Sequence, residues 1–331
     1  TRVLRVVPGG AADIAGDLKA GDGIIGVGPA EDEPMVDVIG WRLDDVVALI
    51  RGPKDTLVRL ELIPTGKGPD ANSKIIRITR DRIKLEEQAA KMSIIEIKRL
   101  EQPIRIGVIQ IPTFYIDFEG RSRGDSDYRS TTRDTRKLID ELKFSNVDGL
   151  VIDLRGNGGG ALTEAISLSG LFISSGPIIQ IRDARGRIRP RNDPDKGIAY
   201  NGPLAVLVDR ASASASEIFA GAMQDYRRGL IIGEPTFGKG TVQNLIDLDR
   251  YSEDDSPVGQ LKITTAQFFR IDGNSTQHRG IVPDIVLPMT VDSETQGERG
   301  LNHALPWAKI AAAKFRHFSD ASVVNELLSA K

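Results

Sequence analysis

The feature that most constrains the fold is a glycine loop set between an apolar run and a helix-forming stretch. Residues 149–154 are short and apolar apart from Asp153, and Gly156-Asn157-Gly158-Gly159-Gly160 follows directly. A short apolar run bounded by turn residues reads as a fully buried strand, and residues 161–173 read as the helix after it. Glycines at such a junction allow positive φ and close approach to another group. The free amides that open the next helix favour negative charge. The loop lacks the Lys-Ser/Thr of a P-loop and does not fit G-x-G-x-x-G. A phosphate cradle, an oxyanion hole and a plain tight turn are its three readings.

The pattern around this junction alternates. Residues 136–144 read as helix, 204–208 as buried strand, 213–226 as helix with Ile218, Ala222 and the gap at Gly221 on one face, and 230–232 as strand. Residues 241–248, 260–271 and 281–287 read as β. Such alternation argues for a layered α/β domain. From about 290 onward the chain is helix-prone and ends abruptly. The first 64 residues read instead as a small β-rich unit: strand at 2–7, turn at 8–10, short helix at 11–16 and strand at 24–27. A helix at 41–50 carries Leu43, Val46, Val47 and Ile50 at i, i+3, i+4, i+7, and residues 58–62 alternate as a half-buried strand. Residues 67–73 are the polar boundary. Beyond it, strands at 75–78 and 104–109 flank a charged helical segment at 82–92. Residues 119–135 read as a mobile polar insertion. Its arginines are interleaved with Asp125, Asp127 and Asp134, which favours a solvated loop over an anion site.

Composition excludes several classes. The chain has 331 residues with 40% apolar content, enough for about two domains and too apolar for disorder. A net charge of −2 does not suit a dedicated nucleic-acid binder. With no cysteine there is no disulfide, thiol nucleophile or Cys-ligated metal, and a cytosolic or a periplasmic home fits equally. No apolar run approaches the ~20 residues of a membrane-spanning helix. The chain opens at Thr1 without a signal peptide, so it is expected to be a piece of a longer precursor.

Two further stretches can carry chemistry. Ser212, Ser214 and Ser216 lie between a strand and a helix, where a serine can expose its hydroxyl beside a free amide or simply cap the helix. Lys239 sits between Gly238 and Gly240, unusual surroundings for a surface charge, although on this stretch alone a solvated turn lysine is the favoured reading. A serine needs a base. His278, beside Arg279 in a turn, is the weaker candidate. A free lysine has a pKa near ~10.4, and burial lowers it toward a neutral amine.

Together these stretches resemble the tail-specific, C-terminal processing peptidases, PDZ-containing serine proteases with a Ser-Lys dyad. The resemblance rests on residues 38–50, 153–162, 212–225 and 233–243 and covers nearly the whole chain. It implies a layered crotonase-like α/β protease domain at 96–288. A PDZ domain at 1–64 would be truncated at its N-terminus, with 65–95 a linker or cap and 289–331 part of a C-terminal helical segment. The family spacing of 25 residues before the lysine selects Ser214 as nucleophile, Lys239 as general base and Gln243 as its orienting partner. The amides of Ala215 and Gly160, with Gly159 as the fallback, would form the oxyanion hole, and Asp225 would give structural support. Leu43 and Val47 would face the peptide groove, whose carboxylate loop is expected upstream of Leu4. The resemblance further implies an endopeptidase of the periplasm that needs no metal or cofactor and takes protein or peptide substrates with apolar C-termini. It admits an envelope adaptor protein and peripheral membrane association of the full-length protein, and no nucleic acid. A catalytically silent PDZ scaffold and a nucleotide-binding enzyme are the alternatives.

Overall fold

In the computed structural model the described residues are 1–4, 6, 10–41, 43–67, 72–81, 88–98, 103–195, 197–251, 259–288 and 297–318. The chain divides into two compact units, Thr1–Gln88 and Ala89–Lys331.

The first unit holds helices α1 (Ala11–Ala15) and α2 (Leu43–Ile50) and strands β1 (Gly23–Gly28), β2 (Val36–Asp37), β3 (Leu57–Ile63) and β4 (Lys74–Thr79). The strands form one antiparallel sheet in the order β2-β1-β3-β4. Alternation along β3 turns Val58, Leu60 and Leu62 inward against Val27, Val46, Ile76 and Ile78. Of the strand expected at 2–7, the described residues keep only a bridge from Arg2 to Gly23, and the turn at 8–10 lies largely outside the described residues. The stretch 65–95 does not run as a free linker. Its residues Lys74–Thr79 pair along β3, where Ile76 and Ile78 complete the core of the first unit.

The second unit carries β5 (Lys91–Ile97), β6 (Ile104–Gln110), α3 (Phe118–Arg123), α4 (Thr131–Phe144), β7 (Gly149–Asp153), α5 (Leu162–Gly170), β8 (Pro177–Asp183) and β9 (Ile188–Asn192). It continues through β10 (Leu204–Val208), α6 (Ala215–Asp225), β11 (Leu230–Gly233), β12 (Thr241–Asp247), β13 (Gln260–Phe269) and β14 (Ile285–Val286). One sheet runs β14-β11-β10-β7-β6-β5, parallel except for the β5–β6 pair; the other runs β12-β13-β8-β9 and is antiparallel. Helices α5 and α6 pack on each other, and Phe172 meets Phe219 edge-on at 5.7 Å between centroids.

Three expectations change. The charged helix expected at 82–92 ends in strand β5, and its residues 82–87 lie outside the described residues. The polar stretch 119–135 is not a loop throughout. It contains α3 and the first turn of α4, whose start is capped by Ser130 Oγ accepting from the Arg133 amide. Asp134 is buried there by the Tyr115 hydroxyl at 2.5 Å and an Arg129 ion pair at 2.9 Å. The helix-prone residues after 290 show, among the described residues 297–318, one 3-10 turn at Glu298–Gly300, one bridge from Lys309 to Asn274 and otherwise irregular chain. Tertiary hydrogen bonds hold it instead, such as Ile310 N to Gly273 O at 2.9 Å.

Candidate active site

The site forms at the carboxyl ends of the parallel strands β7 and β10, where loops of an open α/β sheet converge. The glycine loop leaves β7 under tight constraint. Asp153 pairs with Arg155 at 2.7 Å, and the Asp209 carboxylate accepts the Gly156 amide. Asn157 is fully buried; its Nδ2 donates to Ile111 O and its Oδ1 accepts the Gly159 amide, both at 2.8 Å. Gly160 has φ 144°, and a Cβ there would lie 2.2 Å from Phe114 O. Among the described residues, the amides of Gly160 and Ala215 have no protein acceptor.

The three serines part company in the fold. Ser212 is fully buried, with its Oγ donating to Leu154 O at 2.9 Å. Ser216 is fully buried, with its Oγ donating to Asn157 O at 2.9 Å. Ser214 alone of the three reaches the cleft, at the N-cap of α6 with φ 57° and ψ −109°. Such a φ is rare outside glycine and marks a backbone held by its surroundings.

Lys239 lies in the same cleft, of about 560 Å³, with Gln243, Ala215 and Gly160. Its Nζ donates to Gln243 Oε1 at 2.9 Å, its amide donates to Glu217 Oε2 at 3.0 Å, and its carbonyl accepts from Thr276 Oγ1 at 3.0 Å. Burial lowers the Lys239 pKa, and the positive charge of Lys262 lowers it further against opposing pulls from Glu298 and Glu217. No hydrogen bond joins Ser214 Oγ to Lys239 Nζ, and no ion pair engages Lys239, among the described residues. His278 does not line the cleft; its carbonyl accepts from Arg299.

Glu217, which the sequence reading did not single out, organises the centre. It is fully buried and accepts from Thr236 Oγ1 at 2.7 Å and from the amides of Ser214 (2.7 Å), Gly238 (2.7 Å) and Lys239 (3.0 Å). Burial raises its pKa to about 7 against those four hydrogen bonds. The signal was present, since Ser214-x-x-Glu217 is a capping-box spacing. Lys262 was likewise passed over, because only pairing with Leu245 across β12 and β13 carries it to the cleft.

Asp225, at the far end of α6, is paired with Arg270 through Nε at 3.1 Å and a second contact from the other guanidinium nitrogen, and burial raises its pKa. In the first unit α2 turns Val46 into the core and leaves Leu43 61% exposed, with Val47 half-buried.

Comparison with known proteins identifies both units. Residues 105–287 match Peptidase family S41 and residues 1–63 match the PDZ domain. The chain is 44% identical over 328 residues to the tail-specific protease of Haemophilus influenzae, covering 99% of this chain and 44% of that protein. It is 32% identical over 283 residues to the carboxy-terminal processing protease CtpA of Bacillus subtilis, covering 86% of this chain and 52% of that one. The solved photosystem II D1 C-terminal processing protease matches with a TM-score of 0.60 at 29% identity, over 86% of this chain and 68% of its own. The chain spans about half the length of the curated relatives it matches. The PDZ match, the peptidase match over residues 105–287 and the near full-chain likeness to a tail-specific protease converge, and the chain belongs to peptidase family S41.

Proposed function

We propose that this chain is the catalytic part of a serine endopeptidase of the tail-specific, C-terminal processing type. The observation that carries the reading is Lys239: half-buried, without an ion pair among the described residues, depressed in pKa, and held at 2.9 Å by Gln243 in the cleft that Ser214 enters. Catalytic hydrogen bonds tighten in the substrate complex, and there the Lys239 amine meets the Ser214 hydroxyl. Ser214 Oγ bonds to the substrate carbonyl carbon and its proton passes to Lys239 Nζ. The amides of Ala215 and Gly160 hold the oxyanion; the Gly159 amide is already engaged by Asn157. Lys239 then gives its proton to the leaving amine, and the C–N bond breaks. Water, deprotonated by Lys239, hydrolyses the acyl-enzyme and restores Ser214.

The PDZ unit, at 1–64, is read as engaging apolar C-terminal tails by strand addition beside α2, with Leu43 and Val47 on the groove. The protease domain is read as 96–288. A periplasmic location, an envelope adaptor and peripheral membrane association of the whole protein are parts of the same reading, carried by the family resemblance alone. The test is cleavage of an unfolded protein ending in small apolar residues. Ser214→Ala and Lys239→Ala should each abolish it, and a fluorophosphonate should label Ser214. Retention of most activity by Lys239→Ala would remove the dyad.

A further inference from the structure

The arginine-rich stretch around α3 and α4 has no part in the chemistry above, yet it builds a cleft. Arg121, Arg133, Arg136, Lys137, Arg191 and Tyr128 line a cavity of about 840 Å³, larger than the one of about 560 Å³ that holds Ser214. Five cations thus gather on one face of a chain whose net charge is −2. Their acidic partners are few and exposed. Arg136 meets Asp195, 60% exposed, at 3.0 Å, and Lys137 meets Asp127, 77% exposed, at 3.0 Å; such pairs are weak and exchange readily for another carboxylate. Arg121 and Arg191 have no acidic partner among the described residues. Arg133 is stacked 4.5 Å from the Tyr128 ring centroid and donates to Ser126 O, so its guanidinium is preorganised. The one carboxylate in the wall, Glu164, is buried and spent on the Thr132 amide at 2.8 Å.

This cleft adjoins the catalytic one, because Leu162 and Thr163, at the start of α5, line both. An extended chain advances about 3.4 Å per residue, so a polypeptide lying across Ser214 passes over α5 within a few residues. We propose that the basic cleft binds an acidic segment of the polypeptide substrate flanking the scissile bond. It thereby sets a preference for Asp/Glu-bearing chains. Forked guanidinium donors suit carboxylates, and a single aromatic ring offers little of the stacking platform that single-stranded nucleic acid uses. The inference rests on the peptidase reading of Ser214 and Lys239.

Two measurements separate the inference from that reading. In the Ser214→Ala chain, which needs no turnover, a fluorescent peptide with three flanking Glu residues should bind more tightly than its Gln counterpart by about fivefold to tenfold, through two or three charge-assisted contacts. The gain should vanish in 0.5 M salt and in R121Q/R191Q, and return in R121K/R191K. In the active chain the same pair of peptides should differ in kcat/KM through KM. Equal binding of the Glu and Gln peptides, or a preference untouched by R121Q/R191Q, overturns the inference. So does an oligothymidylate that displaces the Glu peptide at lower concentration than a Glu-rich competitor, which would assign the cleft to nucleic acid. If instead binding shows the preference but neither peptide is cleaved and no fluorophosphonate adduct forms, the peptidase reading fails and the acidic-peptide site stands.

Discussion

Ser214 and Lys239, separated by 25 residues, donate their backbone amides to the same oxygen, Oε2 of Glu217, at 2.7 and 3.0 Å. One buried carboxylate therefore sets the spacing between the two elements that bring the alcohol and the amine to the cleft. Its other oxygen takes Thr236 and Gly238, so both lone-pair faces are in use.

Glu217→Gln keeps the shape but replaces an acceptor oxygen with a donor, leaving the Ser214 and Lys239 amides or the Thr236 and Gly238 donors unmatched. A displacement of the dyad by about 1 Å costs about 10²-fold in rate. The expected result is a kcat loss of that order with near-unchanged KM, measured on a peptide substrate. A variant as fast as the parent would show that Glu217 is only structural.

The same residue makes stability depend on pH. Its native pKa is raised from 4.5 to about 7, so between those values the folded state binds the extra proton. The contribution is present at low pH and is lost as pH rises through that window. The urea midpoint should fall from pH 5 to pH 7.5, and Glu217→Gln should flatten that fall. An identical slope in both proteins would assign the pH dependence elsewhere.

Lys239 is lowered by burial first and by Lys262 second. The rising limb of kcat/KM against pH should therefore lie below the free-lysine value of about 10.4. Lys262→Gln removes a repelling positive charge, stabilises protonated Lys239, and should move the limb to higher pH. A limb that stays in place would mean that Lys262 does not act on Lys239.

Gly160→Ala puts a Cβ 2.2 Å from Phe114 O at a φ of 144°. The backbone must move, at a cost of roughly 1–3 kcal/mol for the strained conformation alone, and the Gly160 amide moves with it. Both a lowered urea midpoint and loss of turnover are expected. Normal turnover would take Gly160 out of the oxyanion hole.

Asp225→Asn leaves the buried Arg270 with only the longer pair to partly exposed Asp272, at 4.0 Å. Breaking one side of a buried pair costs about 3–5 kcal/mol, so chemical denaturation should show a large loss. Turnover per folded molecule should change little, because Asp225 meets Arg270 at the far end of α6 from Ser214. A selective loss of kcat with intact stability would give Asp225 a closer part in catalysis.

The α/β unit was legible from local pattern. The apolar run at 149–154, the glycines after it and the helix that follows are a strand–loop–helix junction by hydrophobic period and backbone freedom alone, and β7 and α5 are found there. The polar stretch 119–135 was misread because part of its order comes from Tyr115, outside it. Tyr115 and Arg129 bury Asp134, and no window of sequence shows that burial in advance.

By itself, the sequence determined that a strand would deliver glycines to a helix start, that three serines would cluster at a second such junction, and that a glycine-flanked lysine would follow. These follow from interactions within a few residues. The family spacing points to Ser214, and only the tertiary structure shows how each of the three hydroxyls is spent. Ser212 spends its hydroxyl on Leu154, 58 residues away, and Ser216 on Asn157, 59 residues away, which leaves Ser214 facing the cleft. Only the tertiary structure, too, shows that the Gly159 amide is taken by the Asn157 side chain while that of Gly160 is not. A hydroxyl or an amide is available to a substrate only if no distant acceptor claims it, and that is a property of the packed chain.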